Sequence, residues 1–191
     1  MTDRPSKPPP RGMIIQRSTV TPSEAVARAL AAVGTCEYLL GPTQGDKKDC
    51  VGFAWELCYQ MPRHIPGLNR RGGGIGDVED DANTNSLIGD ADTDRVLVQR
   101  LAAPEIGCLI CYPTIRLDGH PQPWIGHIGI VVGLDRYVAG DWSTLDTVQC
   151  CGPNGRRPGV LALPGYAFAH HDSLWPLPQH RSVLLRVLQA A

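Results

Sequence analysis

Two residues, a cysteine and a histidine, could together perform nucleophilic catalysis. Cys50 follows Asp49 at the predicted start of a helix, and His127 opens a run of small and β-branched residues typical of a strand. A thiol at a helix N-terminus lies near the positive end of the helix dipole, which favours the thiolate. Imidazole can accept the thiol proton and later protonate a leaving group. The order of a nucleophile before a base predicts thiol-based acyl transfer.

Each residue taken alone also has a structural interpretation. Cys50 could be a small buried hydrophobic residue, and His127 could be a hydrogen-bonded histidine of the core. The presence of both residues in this order favours catalysis over either structural interpretation. Gly52 lacks a side chain, so we expect the N–H groups of the first helical turn to be open to a developing oxyanion.

The elements that must position this pair can be predicted in part. Thr21 to Glu24 form a capping box with proline at the first helical position, and Gly34 ends the helix. The spacing of Val26, Leu30 and Val33 predicts that these three form its buried face.

A second helix is predicted from the N-cap residue Asp49 to about Tyr59, before Pro62. From there to Pro104 the chain is loop-like, with one short helix near 93–101. The remaining chain is predicted to form five strands, at 108–112, 127–132, 145–151, 159–163 and 183–188. Helices followed by strands predict an α+β fold, with the helices packed on one antiparallel sheet.

The composition limits the class of protein. The chain has 191 residues, of which 42% are hydrophobic, and a net charge of −1. We expect a flexible proline-rich arm over 1–20 and one domain over 21–191. Without a basic excess there is no indication of nucleic-acid binding, and no apolar run reaches the roughly 20 residues of a membrane span. The N-terminus lacks the apolar region of a signal peptide, which predicts synthesis in the cytoplasm.

The other cysteines suggest metal binding as the main alternative to thiol catalysis. The chain has seven of them, and Cys108-x-x-Cys111 with Cys150-Cys151 could suggest a zinc site. Residues i and i+3 of a strand point to opposite faces of the sheet, as adjacent residues do, so neither pair can converge on one metal ion. We therefore expect no metal ion at these cysteines. We also expect reduced thiols and no organic cofactor.

Several motifs resemble the NlpC-type family of papain-like cell-wall cysteine peptidases, over roughly residues 25–165. The first half of the family pattern matches Tyr38-x-x-Gly41, Asp49-Cys50-x-Gly52-Phe53 and Met61-Pro62-Arg63. The second half matches Leu101-x-x-Pro104-x-x-Gly107-x-Leu109-Ile110 and the run from Gly126 to Gly133. The resemblance implies a papain-like fold with N-terminal helices packed on an antiparallel sheet.

The resemblance also implies roles. Cys50 would attack an amide carbonyl in a peptidoglycan stem peptide, between D-glutamate and a diamino acid, and His127 would act as base through a thioester mechanism. The residues implied to bind substrate or the oxyanion are Tyr38, Asp49, Val51 and Trp124. The substrate would lie between the loops 62–94 and 113–125.

The chain departs from the family pattern at three places. Val51 stands where the family usually has serine, and Cys108 where it usually has aspartate. The third catalytic residue, which orients the histidine, falls on Ala139 without a gap. Allowing an insertion, it is Gln149 on the next predicted strand, and Asp141 and Asp146 are alternatives.

Two other functions remain open at this point. One is an acyl- or amide-transferring enzyme or amidase of the same fold that acts on a lipid or protein. The other is a degenerate, non-catalytic domain that binds the wall. As a wall hydrolase, the protein would act after release by a phage or a secretion machine, as an endolysin or effector, and a delivery or immunity partner is not identified by the sequence.

Overall fold

A computed structural model describes residues 17–38, 47–60, 83–93, 95, 97–116, 124–152 and 158–190. Within these ranges, helices lie against a six-stranded antiparallel sheet, as the α+β prediction expects. The helices are α1 (Pro22–Ala31), α2 (Cys50–Gly52), which continues as a π-helix (Phe53–Cys58), α3 (Thr84–Asp92) and α4 (Tyr166–Leu174). Two 3₁₀ turns cover Trp142–Thr144 and Pro178–His180.

The sheet contains the five predicted strands and one more. A short parallel pair, β1 (Glu37–Tyr38) and β2 (Lys47–Lys48), stands apart from it. The sheet strands are β3 (Val98–Leu101), β4 (Leu109–Arg116), β5 (Trp124–Gly133), β6 (Asp146–Cys151), β7 (Gly159–Pro164) and β8 (Val183–Val187). Their order is β3-β8-β4-β5-β6-β7, and all neighbours are antiparallel.

The prediction of a short helix near 93–101 is wrong. The helix of this region, α3, begins earlier because Asn83 caps it: Asn83 Oδ1 accepts the Ser86 N–H at 2.9 Å, and Ser86 Oγ accepts the Asn83 N–H at 2.9 Å. Residues Val98–Leu101 instead form the edge strand β3, which pairs with β8. The tertiary pairing partner, which lies more than 80 residues away, overrides the local pattern.

The capping box of α1 is confirmed, but its predicted buried face is wrong at Leu30 and Val33, whereas Val26 is half-buried and packs against the core. Thr21 accepts the Glu24 N–H and Glu24 accepts the Thr21 N–H, which closes both bonds of the box. Leu30 is 49% exposed, whereas Ala29 is fully buried. The helix turns its small residues inward because they allow close approach to the π-helix and β5, against which it packs. The buried face consists of Ala25, Ala29 and Ala32, and Val33 and Leu30 lie outside it.

This corrected face makes a testable contrast between two neighbouring positions. Ala29→Leu should destabilise the fold by about 1–3 kcal/mol, because it forces a larger side chain into a filled contact. Leu30→Ala should change the free energy of unfolding by less than about 0.5 kcal/mol, because the side chain is half exposed. Urea denaturation of both variants measures the difference. Equal losses would contradict the assignment of the faces.

Packing against the domain begins before Thr21, inside the predicted arm. Ser18 Oγ donates to the Tyr59 carbonyl at 3.0 Å, and the Ala190 N–H donates to the Ser18 carbonyl at 2.9 Å. Val20 is 3% exposed and belongs to the core. Residues 17–20 are therefore part of the domain, and residues 1–16 lie outside the described chain.

The sheet has two differently covered faces. The first face packs on α1, α2, the π-helix and α3, and its residues include Leu109, Cys111, Ile128, Ile130, Val148 and Cys150. The second face is covered by α4 through Phe168, and its residues include Cys108, Ile110, Tyr112, Val131 and Leu145. We call these the first face and the α4 face.

The two faces separate the cysteines of the zinc alternative. Cys108 belongs to the α4 face, and Cys111 and Cys150 belong to the first face. This agrees with the alternation expected along a strand. Among the described residues, no cluster of three or more histidine, cysteine, aspartate or glutamate side chains is arranged to hold a metal ion. In the same part of the chain, no helix has the length and apolar character needed to cross a membrane.

Candidate active site

Cys50 is the first residue of α2, and the preceding residue caps the helix. Asp49 Oδ1 accepts the Gly52 N–H at 2.7 Å, and the Asp49 carbonyl accepts the Phe53 N–H at 2.9 Å. Asp49 is 5% exposed and Cys50 8%. The predicted N-cap is confirmed, but the Gly52 N–H that was expected to be open is used by the cap. The neighbouring Val51 N–H belongs to the same first turn of α2.

The π-helix that follows holds Cys50 firmly against the core. Phe53, Trp55 and Cys58 are fully buried, and the π-helix packs against α1 and β5. Large buried side chains of this kind fix the orientation of the segment that carries them. π-helical turns occur often at functional sites, since they shift the register of side chains along a helix.

Tyr38 is brought next to Cys50 by the short parallel pair of strands. Its Cα partner is Lys48, two residues before Cys50, and its ring packs on Gly152, where a Cβ would come within 3.1 Å of the ring. Burial, and then the negative charges of a Cys50 thiolate and of Asp49, raise the pKa of Tyr38 well above its usual range. The phenol therefore stays protonated and can act as a hydrogen-bond donor.

His127 lies on β5, on the α4 face of the sheet. Its Nε2 lies 2.8 Å from Gln149 Oε1, and its ring stacks on Phe168 with centroids 5.5 Å apart and planes 22° apart. Burial lowers the pKa of His127, and the hydrogen bond to Gln149 opposes this by raising it. The imidazole is therefore neutral near pH 7, which is the form that can accept a proton.

The predicted orienting residue, Gln149, is the one that reaches His127. The Cα partner of Gln149 on β5 is Gly129, two residues after His127, so the two side chains are diagonal neighbours on one face. A Cβ on Gly129 would lie 3.0 Å from Gln149 Cγ and 3.3 Å from Phe168 Cζ. The absent side chain at 129 therefore leaves room for both groups that hold the histidine.

The two carboxylate alternatives are engaged elsewhere. Asp141 caps the 3₁₀ turn at Trp142–Thr144, where its Oδ1 accepts the Ser143 N–H at 2.9 Å. Asp146 pairs with Arg136. Neither has a described bond to His127.

Tyr112 links the surroundings of Cys50 to those of His127. It is the direct cross-strand partner of His127, with ring centroids 5.9 Å apart. Burial, and then the negative charge of a Cys50 thiolate, raise the pKa of Tyr112. The α2 segment also packs against β5 and β6, the strands of His127 and Gln149. Cys50 packs with the core of the first face, where Tyr38 lies against that core, whereas Tyr112, His127 and Gln149 lie on the α4 face.

Sequence reasoning missed the helix that closes the α4 face. His171 on this helix is 5% exposed, its ring stacks on Tyr112 with centroids 3.8 Å apart and planes 3° apart, and its Nε2 lies 2.8 Å from the His180 carbonyl. Gly165 at the N-cap offers no capping side chain, so the start of α4 carries no strong signal. The spacing of Phe168 and His171, three residues apart, would have indicated one helical face.

The remaining predicted elements of the site are only partly described. Trp124 opens β5, and its side chain lies outside the described structure, as do most of the loops 62–94 and 113–125. Val51 is buried in α2, so only its backbone can face a ligand.

Comparisons with known proteins identify no family for this chain. No family model matches the chain, and no curated protein matches it. A solved structure described as NlpC1 from Trichomonas vaginalis is 18% identical in sequence, with a TM-score of 0.39. The comparison covers 85% of this chain and 42% of that one, so the chain spans less than half of the other's length. At this TM-score the similarity supports no conclusion about fold or activity.

Proposed function

We propose that this chain is a cysteine hydrolase of the NlpC type that cleaves an amide bond in peptidoglycan stem peptides. The observation that carries the proposal is the 2.8 Å contact between His127 Nε2 and Gln149 Oε1. An amide oxygen only accepts, so this contact puts the imidazole proton on Nε2 and leaves a lone pair on Nδ1. A neutral ring with a fixed donor and a free acceptor is suited to accept the proton of a thiol.

In the proposed reaction, His127 Nδ1 takes the proton of Cys50 while the sulfur attacks the scissile carbonyl carbon. The tetrahedral intermediate collapses to a thioester as the imidazolium protonates the leaving amine. A water molecule, deprotonated by the same imidazole, then hydrolyses the thioester and restores the thiol.

The developing oxyanion needs donors, and two groups near Cys50 can supply them. The Val51 N–H belongs to the first turn of α2, where peptide dipoles favour negative charge. The Tyr38 hydroxyl stays protonated because burial and the nearby negative charges raise its pKa. We assign these two groups to the oxyanion, with Asp49 holding the turn in place through its bond to Gly52.

The choice of substrate rests on the motifs around Tyr38, Cys50 and His127, which resemble those of wall peptidases. We propose the bond between D-glutamate and a diamino acid, with Trp124 at the edge of the substrate groove. We further propose that the protein meets the wall after release by a phage or a secretion machine.

The direct test is to incubate the intact protein with purified peptidoglycan and identify the fragments by mass. We expect new fragments that end at D-glutamate and matching fragments that begin at the diamino acid, with or without a chelator. Transfer of the acyl group to an added amine in place of water would favour the transferase. Retention on the wall without new fragments would favour a non-catalytic binding domain.

A further inference from the structure

Gln149 is a buried amide with every hydrogen-bonding position occupied. It is 1% exposed. Its Nε2 donates to Thr147 Oγ1 at 2.7 Å and to the Pro164 carbonyl at 3.5 Å. Its Oε1 meets His127 Nε2 at 2.8 Å and the Cys151 thiol at 3.9 Å. A primary amide has two donors and two acceptor lone pairs, so no position is left over.

The direction of this network is fixed at its far end. Thr147 Oγ1 lies 2.7 Å from the Leu163 carbonyl, and a carbonyl oxygen can only accept, so the Thr147 hydroxyl must donate its single proton there. Thr147 Oγ1 can then only accept from Gln149, which requires the amide nitrogen to face it. The Pro164 carbonyl, 3.5 Å from the amide nitrogen, favours the same orientation only weakly. The amide oxygen is thereby turned toward His127.

We infer that Thr147 is a positioning residue that sets which ring nitrogen of His127 carries the proton. One chain of hydrogen bonds connects these groups: the Leu163 carbonyl fixes the Thr147 hydroxyl, Thr147 fixes the Gln149 amide, and Gln149 fixes the proton on Nε2. Without the hydroxyl, the amide can turn by half a rotation and present its nitrogen to His127. The ring would then accept at Nε2 and carry its proton on Nδ1, the atom that must be free.

This inference rests on the proposed function for its catalytic consequence, although the proton position can be measured without any activity. The chain offers suitable variants. Thr147→Val removes the hydroxyl with little change of shape, and Thr147→Ser keeps the hydroxyl. Thr93→Val is a control, since the Thr93 hydroxyl donates to the local Gly89 carbonyl within the described part of the chain.

The experiment is nitrogen NMR of the histidine rings in the full chain at pH 7.5, with the His127 signals assigned by their loss in His127→Gln. We expect the Nε2–H tautomer for His127 in the wild type, in Thr147→Ser and in Thr93→Val. Thr147→Val should move a large share of His127 to the Nδ1–H tautomer. With stem peptide as substrate, its kcat should fall about 10-fold with KM little changed, and Thr147→Ser should restore most of it.

Two results would overturn the inference: a wild-type His127 protonated on Nδ1, or a folded Thr147→Val protein that keeps the Nε2–H tautomer. The wild-type spectrum shows which nitrogen of His127 carries the proton, even if the Thr147→Val protein does not fold. The expected tautomers without any hydrolysis of stem peptides would overturn the proposed function and leave the positioning role of Thr147 standing.

Discussion

Replacing Cys50 with alanine is expected to lower kcat for stem-peptide hydrolysis by at least about 10⁴-fold, because the thioester can no longer form. The remaining rate would come from oxyanion donors and substrate positioning alone. The side chain is small and nearly buried, so the variant should keep its fold. The measurement is the rate of fragment release by mass spectrometry, together with circular dichroism of both proteins.

Cys58→Ala provides the matched control for this variant. It removes a thiol at the other end of the same helical segment, and burial raises the pKa of that thiol to about 12, so it is not ionised at neutral pH. We expect wild-type kcat from a folded Cys58→Ala protein. A Cys50→Ala protein that still releases fragments at the wild-type rate would rule out Cys50 as the nucleophile.

Gln149→Leu and Gln149→Glu are expected to move His127 in opposite directions. In the wild type, burial lowers the pKa of His127 and the bond to Gln149 raises it in part. Leucine removes the raising contribution, so the pKa should fall further. Glutamate adds a negative charge at the same distance, which favours the imidazolium and should raise the pKa by about 1–3 units.

The effects on activity follow from the loss of orientation and from the change of charge. Gln149→Leu should lower kcat about 100-fold, since nothing then fixes the imidazole proton on Nε2. In Gln149→Glu the base form of His127 appears only at higher pH, so the acid limb of the pH–rate profile should move upward. NMR titration of His127 gives the pKa values directly. If both variants keep the wild-type pKa and the wild-type kcat, Gln149 does not orient the base.

The local signals in the sequence predicted those parts of the fold that depend on local chemistry. The capping box at Thr21 and the cap at Asp49 depend on residues three positions apart, and both are present. The strand containing Gln149 could be aligned with that of His127 because the two follow each other along the chain. The buried face of α1 could not be predicted, since the choice between Ala29 and Leu30 depends on how closely distant elements approach.

The aromatic side of the site escaped prediction for the same reason. The rings of His171 and Phe168 pack on Tyr112, a residue more than 50 positions away on β4. Polar residues in a turn-rich stretch predict a surface loop, and only the covered α4 face gives them a buried role. Gln149 was predicted by allowing an insertion after β5, and the structure has the turn at Trp142–Thr144 in that interval.

The contacts that form the two parts of the candidate site span very different sequence separations. His127 and Gln149 are 22 residues apart on neighbouring antiparallel strands, so a single β-hairpin brings them together. The helix α2, which begins at Cys50, packs on that hairpin across a sequence separation of more than 70 residues. Local contacts form early in folding, and contacts between distant segments form late. Closing the long loop to α2 therefore costs more chain entropy than closing the hairpin that holds His127 and Gln149.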